Sequence, residues 1–142
     1  MKARIAVLVS GGGTNLQALM DAEVSGVLKS GAIALVVSSR PDAYALTRAQ
    51  NAGVEAITVT KADGEAALVA ALTSRKIDLV VLAGYLTILS ADFVRRYKNR
   101  IVNVHPSLIP AFCGKGFYGL IPHREALKRG VKLTGATVHL VN

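Results

Sequence analysis

One cysteine, few aromatics and a shortage of acidic side chains set the first limits on this chain. Cys113 stands alone among 142 residues, so no internal disulfide can form, and it has no partners at the spacing of a zinc site. No sequence neighbour stabilises its thiolate, so it is read as incidental. No apolar run reaches the roughly 18 residues of a membrane span. The N-terminal apolar stretch, Ile5 to Val9, is short and runs into glycines, unlike a signal peptide. Repeats, low-complexity tracts and an interdomain linker are also absent, which leaves a single domain expected in the cytoplasm.

Charged residues make up only 18% of the chain against 51% hydrophobic, which excludes a disordered segment and supplies a real core. Acidic residues number 9 against 17 basic ones, a net charge of +8. The basic residues are spread along the chain, with one modest cluster at Arg95, Arg96, Lys98 and Arg100, and aromatics are 5%. That distribution argues against a nucleic-acid surface and for small anionic substrates, most Lys and Arg being solvated.

Apolar runs then alternate with helical periodicity. Arg4–Ser10, Ala32–Ser38, Val54–Val59 and Asp78–Ala83 read as strands. Between them, Asn15–Glu23, Asp42–Gly53 and Glu65–Thr73 read as helices, the second with Asp42 as cap and Gly53 as stop. Ser90–Tyr97 is a short helix leading to a strand with Asn103 and His105. A Gly/Pro loop from Pro106 to Pro122, a helix at 123–128 and a strand at 134–141 follow. Continuous rather than alternating apolar strands point to an α/β fold: a mostly parallel, Rossmann-like open sheet with helices on both faces.

Three segments carry candidate chemistry. Ser10-Gly-Gly-Gly-Thr-Asn15 joins the first strand to the first helix, where glycines admit an anion to backbone N–H groups at a helix N-terminus. It is either a phosphate seat or a tight turn capped by Thr14 or Asn15. It is not the dinucleotide fingerprint, since Leu16 occupies the last glycine position, and Gly114-Lys115-Gly116 is not a nucleotide P-loop. In Ile101-Val-Asn-Val-His-Pro106, Asn103 and His105 share one face of a strand that Pro106 ends, at the carboxyl edge where open α/β sheets bind ligands. His123 and His139 suit structural roles. Ala83-Gly-Tyr-Leu-Thr-Ile-Leu89 is either an ordinary turn or a slot for a flat heterocycle.

In order, S-G-G-G-T-N-L-Q-A-L, S-S-R-P-D-A-Y-A-L, D-L-V-V-L-A-G-Y-L-T-I-L-S, I-V-N-V-H-P-S-L-I-P-A-F and T-G-A-T-V-H-L-V resemble the phosphoribosylglycinamide formyltransferases, folate-dependent enzymes of purine synthesis. The resemblance runs from residue 4 to the last residue. It implies the formyltransferase fold and transfer of a formyl group from 10-formyltetrahydrofolate to the amine of glycinamide ribonucleotide. It further implies that Gly12, Gly13, Thr14 and Asn15 hold the substrate phosphate. Leu86, Thr87, Ile88 and Leu89 would receive the pterin, with Asn103 and Lys61 also touching the folate, and Asn103 and His105 would act on the formyl group. Neither a metal nor a nucleic-acid or membrane partner is implied, and the protein would be a monomer or homodimer. Many members carry an Arg where Thr87 stands, so a contact there rests on backbone. Members also continue past T-V-H-x-V into a loop with an Asp that orients the catalytic His, so residues 1–142 are expected to form one catalytic domain incomplete at its C-terminus. Formyltetrahydrofolate hydrolase, another formyltransferase of the superfamily, and a non-catalytic phosphoribosyl- or folate-binding fragment are the alternatives.

Overall fold

The structure is a computed structural model that describes residues 2–105 and 137–140, with His105 and Thr137–Leu140 described as backbone only. The expected loop at 106–122, Cys113, the helix at 123–128 and residues 134–136 lie outside the described residues.

Strands β1 (Ala3–Val9), β2 (Gly31–Ser38), β3 (Ala56–Thr58), β4 (Leu79–Ala83), β5 (Ile101–His105) and β6 (Thr137–Leu140) form one sheet. Helices α1 (Thr14–Val24), α2 (Tyr44–Asn51), α3 (Glu65–Ser74) and α4 (Ala91–Arg96) connect the first five. The sheet order is β3-β2-β1-β4-β5-β6, parallel throughout except for the antiparallel pairing of β6 on β5. This is the mostly parallel open sheet that the alternating pattern predicts.

Burial on both faces explains why the central strands are uninterrupted apolar runs. Ile5, Val7 and Val9 of β1 pack with Leu16, Leu19 and Met20 of α1 and with Ala45 and Ala49 of α2. Ala6 and Leu8 turn the other way, onto Leu68 and Leu72 of α3 and Phe93 of α4. Fully burying such a side chain contributes about 1.5–3 kcal/mol, so either face would be costly to open. On β5, Val102 and Val104 join the α1/α2 side while Ile101 joins the α3/α4 side. Position 103 therefore has the parity of the α3/α4 face.

Two local expectations, and one of the alternatives for the glycine turn, are corrected. β3 is three residues long rather than the six of Val54–Val59, and among the described residues β2 is its one partner. At its expected start the Val54 N–H donates to the Ala49 carbonyl of α2 at 2.9 Å, while the Glu55 carbonyl still accepts from the Val36 N–H of β2 at 2.8 Å. The N-cap of α2 is Ala43, not Asp42, whose carboxylate is drawn to Arg40 at 3.1 Å. The N-cap of α1 is Gly13 in the left-handed region, without a side-chain cap from Thr14 or Asn15.

Candidate active site

The strand order reverses between β1 and β4, since β1 leads outward to β2 and β3 on one side while β4 leads to β5 on the other. A crevice opens at such a switch point, beyond the carboxyl ends of the strands. Two connections leave that edge side by side: the glycine turn after β1 and Gly84–Leu89 after β4. Register aligns Leu8 with Leu82, Leu82 with Asn103 and Asn103 with His139 across four strands. Two residues on, Ser10, Gly84 and position 105 reach the same edge, with Thr137 opposite position 105. Strands lie about 4.8 Å apart, so the backbone at Asn103 sits about 10 Å from β1.

Ser10 ties this edge together. Its side chain is 1% exposed. Its Oγ accepts a hydrogen bond from the Leu86 N–H at 2.9 Å and shares another with the Ser39 hydroxyl, joining the ends of β1, β2 and β4. Sequence reading missed both serines. Each follows an apolar run, and only the Val9–Ser38 register brings them opposite one another.

On the α3/α4 face the loop after β4 forms one wall of a cleft of about 490 Å³, a volume that suits a small-molecule ligand. Leu86, Thr87, Ile88 and Leu89 line it together with Lys61, which collects five of the expected folate-binding residues in one place. Leu86 is 77% and Ile88 92% exposed, a large apolar surface with nothing covering it among the described residues. Gly84 starts this loop at φ 74°, a conformation that L side chains rarely adopt. Opposite, the turn carrying Lys61 is closed by Asp63, which accepts from the Thr60 N–H at 2.8 Å and the Thr60 hydroxyl at 3.0 Å. Those bonds hold the Asp63 carboxyl below its ordinary range. Glu65 joins the two walls by accepting from the Ser90 N–H at 2.9 Å and from the Ser90 hydroxyl, which also caps α4 through the Phe93 N–H. Burial raises the Tyr85 phenol above its usual value near 10, an effect that Glu65 reinforces and the Thr87 hydroxyl opposes.

Gly12, Gly13, Thr14 and Asn15 stand on the other side of the switch point, at the start of α1. Gly13 has φ 81°, and a Cβ there would meet Ala45 Cβ at 2.7 Å and Ala45 Cα at 2.9 Å. α2 therefore packs directly against the turn. Gly11 and Gly12 face open space. Asn103 is half-buried at the β5 end and does not line the cleft among the described residues, and the side chain of His105 lies outside them. Among the described residues there is no group of three or more His, Cys, Asp or Glu that could hold a metal ion.

Comparison with known proteins matches the formyl transferase family model to residues 3–142. Phosphoribosylglycinamide formyltransferase of Haemophilus influenzae is 41% identical over 145 residues, which covers 98% of this chain and 66% of that protein. Glycinamide ribonucleotide transformylase 1 of Symbiobacterium toebii superposes with a TM-score of 0.75 at 44% identity, covering 99% of this chain and 66% of the other. Phosphoribosylglycinamide formyltransferase of Brucella melitensis also gives 0.75, at 38% identity over 99% and 73% of the two chains. The chain spans about half the length of the chloroplastic relatives from Vigna unguiculata and Arabidopsis thaliana.

Proposed function

Because the chain belongs to the formyl transferase family, and within it to the phosphoribosylglycinamide formyltransferases, we propose that it transfers the formyl group of 10-formyltetrahydrofolate to the amine of glycinamide ribonucleotide. The observation that carries this reading is the meeting at one sheet edge of the glycine turn, the exposed Leu86–Leu89 loop and the carboxyl end of β5. In this reading Gly12, Gly13, Thr14 and Asn15 hold the ribonucleotide phosphate, aided by the partial positive charge of the α1 N-terminus. Leu86 to Leu89 cover the pterin, and Lys61 faces the acidic tail of the folate.

The two strand spacings between turn and β5 leave room for a ribose and its glycinamide arm. The amine nitrogen attacks the formyl carbon, the bond from that carbon to the folate nitrogen breaks, and the amine proton passes to that nitrogen. Asn103, donating from its carboxamide to the oxygen as it gains charge, would supply about 3 kcal/mol. His105 donates to that oxygen or to the leaving nitrogen, a contribution of roughly 100-fold to 10,000-fold. Holding both reactants at one edge adds the gain of an intramolecular encounter.

The test is a stoichiometric assay on the full-length protein with both substrates. Formylated ribonucleotide and tetrahydrofolate should appear one to one. Formate released at the same rate without ribonucleotide would make it a hydrolase, and binding of both ligands without transfer would make it a non-catalytic binder.

A further inference from the structure

Arg48 of α2 lies 36 residues from Gly12, yet its Nε donates to the Gly12 carbonyl at 2.7 Å. The Ala45 N–H, on the same helix, donates to the Gly11 carbonyl at 3.1 Å. In a trans peptide the carbonyl of one residue and the N–H of the next point in opposite directions. Holding the Gly11 and Gly12 carbonyls on α2 therefore turns the Gly12 and Gly13 N–H groups away from it, towards the open side of the turn. Among the described residues neither of these N–H groups has a hydrogen-bond partner. Successive N–H groups aimed one way form a concavity for an anion.

Arg48 is itself fixed from two more directions. Its Nη1 donates to Gln17 Oε1 at 3.3 Å, and its guanidinium carbon lies 5.0 Å from the centre of the Tyr44 ring. Gln17 in turn donates to Asp21 at 2.9 Å. A lysine could keep the charge but not this fork. The Gly13 hydrogen lets the helix come close enough for the contact, since Arg48 Cδ lies 3.2 Å from where a Cβ would stand.

We propose that Arg48 is a positioning residue for the phosphate of the ribonucleotide substrate: it acts through the Gly12 carbonyl to aim the Gly12 and Gly13 N–H groups, without touching the substrate. This rests on the reading of the turn as the phosphate seat.

The experiment compares full-length wild type, Arg48→Ala, Arg48→Lys and Gln17→Ala with glycinamide ribonucleotide and with the ribonucleoside that lacks the phosphate. In Arg48→Ala, KM for the ribonucleotide should rise about tenfold, the scale of one charge-assisted hydrogen bond. Its kcat and its KM for the formyl donor should stay within twofold. Arg48→Lys should lie between Arg48→Ala and wild type, Gln17→Ala should raise the same KM by a smaller factor, and the ribonucleoside should be used equally by all four. If Arg48→Ala does not fold, the Arg48→Lys and Gln17→Ala pair decides on the same readouts. An unchanged ribonucleotide KM, or an equal loss on the ribonucleoside, overturns the proposal. Wild type that does not distinguish ribonucleotide from ribonucleoside would instead remove the phosphate seat itself, whatever the variants do.

Discussion

Replacing Gly13 by alanine should cost more than any other single methyl added to the glycine turn. The residue sits at φ 81°, and holding a non-glycine residue there costs about 1–2 kcal/mol. The new Cβ would meet Ala45 Cβ at 2.7 Å and Ala45 Cα at 2.9 Å, and the second of these is helix backbone that can yield only if α2 moves. Overpacking of that kind costs about 1–3 kcal/mol. Stiffening of the unfolded chain returns about 0.4–1 kcal/mol, which leaves a net loss of about 2–4 kcal/mol. At about 4 °C per kcal/mol for a domain of this size, the thermal midpoint should fall by about 8–16 °C. Gly12→Ala is the control, because a Cβ there meets nothing within 4 Å and the backbone needs no positive φ. Thermal and urea unfolding of both variants gives the comparison. Adding Ala45→Gly to Gly13→Ala removes the closest contact but not the backbone strain, so a double-mutant cycle should show about 1 kcal/mol of favourable coupling. If Gly13→Ala unfolds like Gly12→Ala, or if the cycle is additive, α2 does not pack on the turn as described.

Ser10→Ala takes the acceptor from the Leu86 N–H in a buried site and should cost about 1–3 kcal/mol in urea unfolding, whereas a change under 0.5 kcal/mol would show that the pin is dispensable. Leu86→Ser and Ile88→Ser should stay within about 0.5 kcal/mol of wild type in stability, since both side chains are exposed, while weakening the binding of 10-formyltetrahydrofolate in calorimetry. Unchanged affinity would take the pterin out of this loop. The Tyr85 phenol is raised in the folded state, so its contribution is present below the unfolded value near 10 and is lost as pH rises through the folded value. Tyr85→Phe should therefore flatten the alkaline end of the stability profile, and an unchanged slope there would mean that Tyr85 titrates as it does in the unfolded chain.

What could be read from residues alone was whatever local pattern encodes. The uninterrupted apolar runs of β1 and β4 marked strands covered on both faces, and Ser-Gly-Gly-Gly after β1 marked the turn at the sheet edge. The period-two placement of Asn103 and His105 gave them one parity, and the register carries both positions to the edge beside Gly84. Contacts between distant segments were not legible. Nothing near Ser10 in sequence announces Leu86, 76 residues away, and nothing in Ala-Leu-Thr-Arg48 announces the Gly12 carbonyl. Asp42 has the chemistry of a cap, but Arg40 competes for its carboxylate and α2 is held instead through the Ala45 N–H to Gly11. β3 was overread at its start because Val54 has strand propensity, while its N–H is claimed by the Ala49 carbonyl at the end of α2.

In the proposed reading, the carboxyl end of β5 does the chemistry for a formyl donor held beside the loop after β4. Steady-state formyl transfer by the full-length protein, with His105→Ala and Asn103→Ala alongside wild type, addresses it most directly. kcat should fall at least 100-fold in the His105 variant, with the binding of both substrates little changed, and by about the same factor in the Asn103 variant. A loss of less than tenfold in His105→Ala would contradict it.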